Sequence, residues 1–86
     1  MNDLRLRTGD LSWHELDGEI VALDSDSSEY VATNRTGTAL WRLLAEGTSR
    51  AQLVDELVNS FDVARERAEA DVDAFLDGLR EKGLLA

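Results

Sequence analysis

The most chemically suggestive stretch of the 86-residue chain is Asp24–Ser28, which reads Asp-Ser-Asp-Ser-Ser. Its oxygen-bearing side chains have the spacing of the first, third and fifth ligands of a calcium-binding loop. Such a loop also needs glycine at its sixth position and a bidentate glutamate at its twelfth. Those positions hold Glu29 and Arg35, and the arginine would repel the cation. We therefore interpret the stretch as a polar turn stabilised by its own side chains, and we expect no metal.

Catalysis by an activated nucleophile has few candidate residues in this sequence. Cysteine is absent, and His14 is the single histidine, in a pattern typical of a solvated strand residue. Asp26-Ser27 resembles the start of the Asp-Ser-Leu attachment site of acyl carrier proteins. Here Ser28 and a predicted strand follow it, in place of leucine and a helix. No nucleophile–base pair can be identified, so we expect no enzyme activity and no cofactor.

The charge balance bears on nucleic-acid partners. Eighteen acidic residues against nine basic ones give a formal net charge of -9, which disfavours binding to polyanions. Arg65, Arg67 and Arg80 lie on the predicted third helix, which a winged helix–turn–helix protein would place in the major groove. Acidic residues outnumber them on that helix. A winged-helix nucleic-acid-binding protein is therefore the alternative hypothesis, and we expect no nucleic-acid partner.

Short strands are predicted for the front part of the chain, where apolar and polar residues alternate. Leu11–Leu16 and Glu19–Leu23 are joined by Asp17-Gly18, a pair favoured in two-residue hairpin turns. Glu29–Thr33 is rich in β-branched and aromatic residues and predicts a third strand. The acidic stretch described above would form the turn before it.

The rest of the chain has the periodicity of helices. Asn34 is a predicted N-cap, and Ser49 begins a capping box with Gln52. Gly47 and Gly83 are predicted stops, and the third helix is expected from about Ala64 to Lys82. The predicted inner faces carry Leu40, Trp41 and Leu44 in the first helix, Leu53, Val54, Leu57, Val58 and Phe61 in the second, and Ala68, Val72, Phe75, Leu76 and Leu79 in the third.

Strands followed by helices indicate an α+β fold, with a three-stranded antiparallel sheet and then three helices. The length predicts a single domain over residues 1–86, with a flexible arm over residues 1–10. No apolar run approaches the ~20 residues of a membrane span, and the N-terminus lacks the apolar segment of a signal peptide. We therefore expect a cytoplasmic protein.

Several stretches together resemble the PqqD-like family. They are Ile20–Asp24, Glu29–Asn34, Gly37–Leu44 with Trp41 inside it, and Ala70–Leu79 followed by Gly-Leu-Leu. The likeness covers residues 11–86, and the order and spacing of the motifs carry it more than any single motif. Members of this family are known as RiPP recognition elements, where RiPP denotes a ribosomally made, post-translationally modified peptide.

The resemblance implies a winged-helix-like domain that binds peptide in place of DNA. In the family, the leader segment of a precursor peptide adds as an antiparallel strand beside the third strand and lies against the third helix. As a small stand-alone protein, this chain looks most like the recognition proteins of lasso-peptide pathways. The partner of those proteins is a separate cysteine leader peptidase of transglutaminase-like type. The peptide-binding residues expected from this are Glu29, Tyr30, Val31, Ala32, Thr33, Arg67, Asp71, Val72, Phe75 and Leu76.

The strand pattern favours the same surface by a separate argument. A three-strand meander leaves two edges with unpaired backbone groups, and neither outer strand contains proline or lysine. An open edge beside an apolar helix face suits strand addition. The same edge would also allow two copies to pair, so we expect a monomer or a weak dimer through it. The pattern leaves open which alternate residues of Glu29–Thr33 face the groove.

Overall fold

The computed structural model describes residues 3–7 and 9–86. Its sheet is a meander in the order β1-β2-β3, with β1 at Leu11–Leu16, β2 at Glu19–Asp24 and β3 at Glu29–Ala32. Both neighbouring pairs are antiparallel. The β1–β2 turn has positive φ at Asp17 (53°) and Gly18 (80°), as a type I′ hairpin turn requires. The hairpin predicted at this pair is confirmed.

Three helices follow: α1 at Arg35–Glu46, α2 at Arg50–Phe61 and α3 at Arg65–Glu81. Asn34 caps α1 by accepting a hydrogen bond from the Gly37 amide, and Ser49 with Gln52 forms the predicted capping box of α2. These caps satisfy amides that the helices themselves leave unpaired. The predicted α+β order of three antiparallel strands and three helices is confirmed.

The buried apolar side chains of the described residues form one cluster between the helices and one face of the sheet. Trp41 lies inside it with no exposed surface. The Trp13 ring on β1 contacts it edge to face, with ring centroids 6.0 Å apart. Trp13 is 38% exposed, so its ring contacts Trp41 on one side and solvent on the other. The two tryptophans thereby join the sheet to α1.

The N-terminal segment is packed where a flexible arm was expected. Leu4 forms a β-bridge with Thr48, and Leu6 forms one with Leu85. The Leu6 side chain is 4% exposed and belongs to the core. This burial explains the difference, because alternate leucines give the segment an apolar side to pack. Met1, Asn2 and Thr8, which also fall in the expected arm, lie outside the described residues.

Asp24 anchors this segment to the sheet. Its carboxylate is 5% exposed and accepts hydrogen bonds from the Arg7 guanidinium at 2.6 Å, the Asp26 amide at 3.1 Å and the Ser27 hydroxyl at 3.0 Å. The Arg7 hydrogen bond is the main reason that the pKa of Asp24 lies below its ordinary value, and Ser27 and Asp26 lower it further. The stretch Asp24–Ser28 is therefore a polar turn, as predicted.

The lowered pKa of Asp24 makes a prediction about stability against pH. A carboxylate with a lower pKa in the folded state stabilises the fold above its unfolded pKa and loses that contribution as the pH falls through its folded pKa. We expect the difference in unfolding free energy between wild type and Asp24→Asn to be present at pH 7 and to shrink below about pH 4. Urea titrations at several pH values measure it. A difference that stays constant down to pH 2 would contradict the role of the charge.

Within the described ranges no helix is long and apolar enough to cross a membrane. No group of three or more potential metal-ligating side chains occurs among the same residues.

Candidate peptide-binding groove

The outer edge of β3 is open in the described part of the chain, since β3 pairs only with β2. The Thr33 amide donates to the Ile20 carbonyl at 3.0 Å. Amides along an antiparallel strand alternate in direction, so the amides of Val31 and Glu29 also face β2. The amides and carbonyls of Tyr30 and Ala32 therefore point outward. These outward-facing backbone groups are the ones available to an added strand.

The side chains of this strand alternate between two environments. Tyr30 is 69% exposed on the outer face of the sheet, and Ala32 is exposed beside it. Val31 is half-buried on the helix side, and Thr33 is buried there. The Thr33 hydroxyl accepts from the Ile20 amide at 3.1 Å and is hydrogen-bonded to the Thr38 hydroxyl at 2.8 Å. Val31 is therefore the apolar side chain of this strand that a bound peptide would contact on the helix side of the sheet.

A groove runs between β3 and α3. Its first part is a cavity of about 330 Å³ that begins directly at the open edge. The residues around it are apolar or small, with one lysine at the end of α3. They are Val31, Ala32, Thr33, Asn34, Gly37, Ala74, Phe75, Gly78, Leu79 and Lys82.

A second cavity of about 840 Å³ continues toward the turn between α2 and α3. It shares Asn34, Gly37, Ala74 and Phe75 with the first, so Phe75 lies between the two. Leu40 and Leu57 contribute apolar surface to it, and its polar residues include charged side chains of both signs. The charged residues are Asp62, Arg67 and Asp71.

The ring of Phe75 can approach the start of α1 closely because Gly37 has no side chain. A Cβ atom built on Gly37 would lie 3.2 Å from a ring carbon of Phe75 and 3.0 Å from the Cβ of Thr33. Both distances are shorter than ordinary van der Waals contact. Gly37 is therefore what allows α1, β3 and α3 to meet closely at the middle of the groove.

Two residues predicted to line the groove lie in the core. Val72 has no exposed surface and Leu76 is 2% exposed, and neither borders the cavities. The reason is helical phase: they follow Ala68 and lead to Leu79 along the face of α3 that packs inward. The groove is instead bordered on α3 by residues on the neighbouring face. These are Arg67, Asp71, Ala74, Phe75 and Gly78, with Lys82 directly after the helix; of the inward face, Leu79 also borders the first cavity.

The other predicted residues are near the groove, with different roles. Arg67 and Asp71 border the second cavity and form an exposed ion pair at 3.6 Å. Glu29 is exposed and lies at a crevice with Val31 and Lys82. Three small residues that border the groove were not predicted from the sequence, because small side chains add little to a hydrophobic pattern. They are Gly37, Ala74 and Gly78. Lys82 was predicted only as the approximate end of the third helix.

The arginines of α3 are engaged by acids of the protein itself. Arg65 pairs with Asp55 at 3.0 Å, and Arg80 pairs with Asp77 at 3.3 Å. Arg67 pairs with Asp71, as described above. A helix that reads DNA needs such side chains free for phosphates and base edges. The arrangement therefore does not favour the nucleic-acid alternative.

The chain matches a protein-family model and is similar to solved structures of other proteins. The family model described as coenzyme PQQ synthesis protein D (PqqD) matches residues 19–85. The solved structure of TbiB1 in complex with the TbiA(beta) leader peptide is similar to this chain, with a TM-score of 0.86 and 28% identity, covering 94% of this chain and 93% of that one. Lasso peptide synthetase B1 complexed with the leader peptide has a TM-score of 0.84 and 32% identity, covering 98% of both chains. Among curated proteins, no match is found.

Proposed function

The chain belongs to the PqqD family, and from this membership we propose that it binds the leader segment of a precursor peptide by adding it as a strand to β3. One observation carries the proposal: the open edge of β3 borders an apolar cavity against α3. Backbone pairing and side-chain anchoring are therefore available at one place. Both solved structures similar to this chain hold a leader peptide.

The family resemblance implies an antiparallel added strand, and the outward-facing groups of β3 would fix its pairing. An antiparallel peptide would start near Asn34 and run toward Glu29, pairing with the amides and carbonyls of Tyr30 and Ala32. That gives about four backbone hydrogen bonds of roughly 1 kcal/mol each. Association costs about 4–15 kcal/mol, so the backbone pairing alone is insufficient. Apolar side chains of the peptide, at roughly 1.5–3 kcal/mol each, must supply the rest from inside the groove.

In this proposal the domain is a non-catalytic adaptor of lasso-peptide biosynthesis in the cytoplasm. It presents the leader to a separate cysteine leader peptidase of transglutaminase-like type. The support is the resemblance of the sequence to stand-alone recognition proteins and the similarity to lasso peptide synthetase B1. Because a bound leader would cover the β3 edge, a dimer through that edge and leader binding would exclude each other. We therefore propose that the leader-bound adaptor does not pair with a second copy through β3.

Binding of leader peptides tests this function directly. The probes are fluorescein-labelled copies of the two leader peptides present in the similar structures, together with the leaders of short precursors encoded beside the gene. Scrambled peptides of the same composition are the controls. We expect at least one leader to show saturable binding in fluorescence anisotropy. Its scrambled form should bind at least tenfold more weakly. Equal binding of leader and scrambled peptides, or no binding by any leader, would contradict the proposal.

A further inference from the structure

Gly78 is a glycine that the folded domain itself does not require. We infer that it is a specificity-determining position of the peptide site, where the missing side chain leaves room for an apolar side chain of the bound peptide. This inference rests on the proposed function and adds to it one residue and the kind of side chain that it admits.

In the peptide-free protein, glycine at position 78 lowers the stability of α3 relative to alanine. It lies in the last turn of the 17-residue helix α3, three residues before the final residue Glu81. Glycine in a helix is less favourable than alanine, because its backbone loses more conformational freedom on folding. The φ of Gly78 is not among the positive values that occur at other glycines of the described chain. A Cβ atom built on it would meet nothing within 4 Å. Alanine would therefore fit and stabilise the helix.

Gly37 shows what a glycine required by the fold looks like in the same protein. A Cβ atom there would press on Thr33 and Phe75 at 3.0 and 3.2 Å. The close packing of α1 against β3 and α3 accounts for Gly37 completely. No comparable contact accounts for Gly78, so the reason for its small size must be sought outside the free domain.

The position of Gly78 in the groove is the second observation. Gly78 borders the cavity of about 330 Å³, between Phe75 and Lys82 in the chain, and Val31 of β3 borders the same cavity. Directly opposite residues of an antiparallel pair have side chains on the same face. The peptide residue opposite Val31 would therefore send its side chain into this cavity, toward Gly78. A methyl group at position 78 would occupy part of that space.

The surroundings define the chemistry of the incoming side chain. Val31, Phe75 and Leu79 border the cavity with apolar surface, and Ala74 adds a methyl group. The one charge, on Lys82, lies one helical turn beyond Gly78, whose carbonyl accepts a hydrogen bond from the Lys82 amide at 3.3 Å. Because the surface of the cavity is mostly apolar, the site suits an aliphatic or aromatic side chain.

The test compares stability and binding in the Gly78→Ala variant. We expect its thermal midpoint to rise by about 4 °C, because the helix gains propensity. Binding of the two leader peptides from the similar structures should weaken by about tenfold or more, because added volume in a filled site is poorly tolerated. The matched control is Ser60→Ala, at an exposed position of α2 that borders neither cavity. It should raise stability slightly and leave the dissociation constant within twofold.

An alanine scan of the leader identifies the side chain concerned. The leader position whose truncation weakens binding to wild type most should matter least in Gly78→Ala, since the two changes act on one contact. Unchanged binding by a stabilised Gly78→Ala overturns the inference and leaves the proposed function intact. A destabilised variant also overturns it, because the fold itself would then need the glycine. Failure of the wild-type protein to bind any leader contradicts the proposed function, and the inference with it.

Discussion

Replacing Ala32 with proline is expected to weaken leader binding by roughly 30- to 150-fold, with the domain still folded. Proline removes the amide hydrogen, and the Ala32 amide points away from β2 toward the open edge. The peptide carbonyl opposite it would lose its partner, at a cost of about 2–3 kcal/mol including the clash with the proline ring. Fluorescence anisotropy with the labelled leaders measures the loss, and circular dichroism monitors the fold.

Two neighbouring variants separate the backbone effect from other causes. Ala32→Thr keeps the amide hydrogen and directs its side chain to the exposed outer face, so binding should stay within about twofold of wild type. Val31→Pro removes an amide that faces β2 and should destabilise the sheet itself. If Ala32→Pro binds leader as well as Ala32→Thr does, strand addition at this edge is wrong.

Replacing Trp41 with alanine is expected to remove about 3–5 kcal/mol of unfolding free energy, as large aromatic-to-alanine changes in cores do. Trp41 is completely buried in the single core of the described residues. Small domains have only about 5–15 kcal/mol in total, so the variant should be largely unfolded in mild denaturant. Urea unfolding followed by far-ultraviolet circular dichroism gives the measurement, because the substitution also removes a fluorophore.

Trp13→Ala is the matched comparison for that experiment. Its ring is 38% exposed and touches Trp41 only edge to face. We expect it to lose roughly 1–2 kcal/mol, from partial burial and the aromatic contact. Equal losses for the two variants would mean that the buried and exposed tryptophans are not distinguished by packing, contrary to the structure.

The position of β3 was predicted from the sequence, whereas only some of the α3 residues expected at the groove border it. Strand β3 and its open edge follow from the order of the elements and from the absence of edge-blocking residues. On α3, Val72 and Leu76 were assigned to the groove, yet they are core residues. A wide apolar stripe shows that a helix has a buried face, but not where the core ends and an open groove begins. A shift of one or two residues along the helix moves a side chain from one to the other.

The sequence by itself determined the elements and their limits, because these depend on neighbouring residues. The Asp17-Gly18 turn, the Asn34 cap and the Ser49 capping box are local hydrogen-bonding and backbone-conformation effects. The α+β order follows from the change in periodicity, and all of these are present in the structure.

Only the tertiary structure decided how those elements share their surfaces. The amides of Tyr30 and Ala32 face outward because the Thr33 amide pairs with Ile20 on β2. Leu6 is a core residue because β-bridges hold the N-terminal segment to Thr48 and Leu85. Gly78 borders the groove because α3 turns that face toward β3. Each outcome depends on contacts between residues far apart in the chain, and a local pattern carries no information about such contacts.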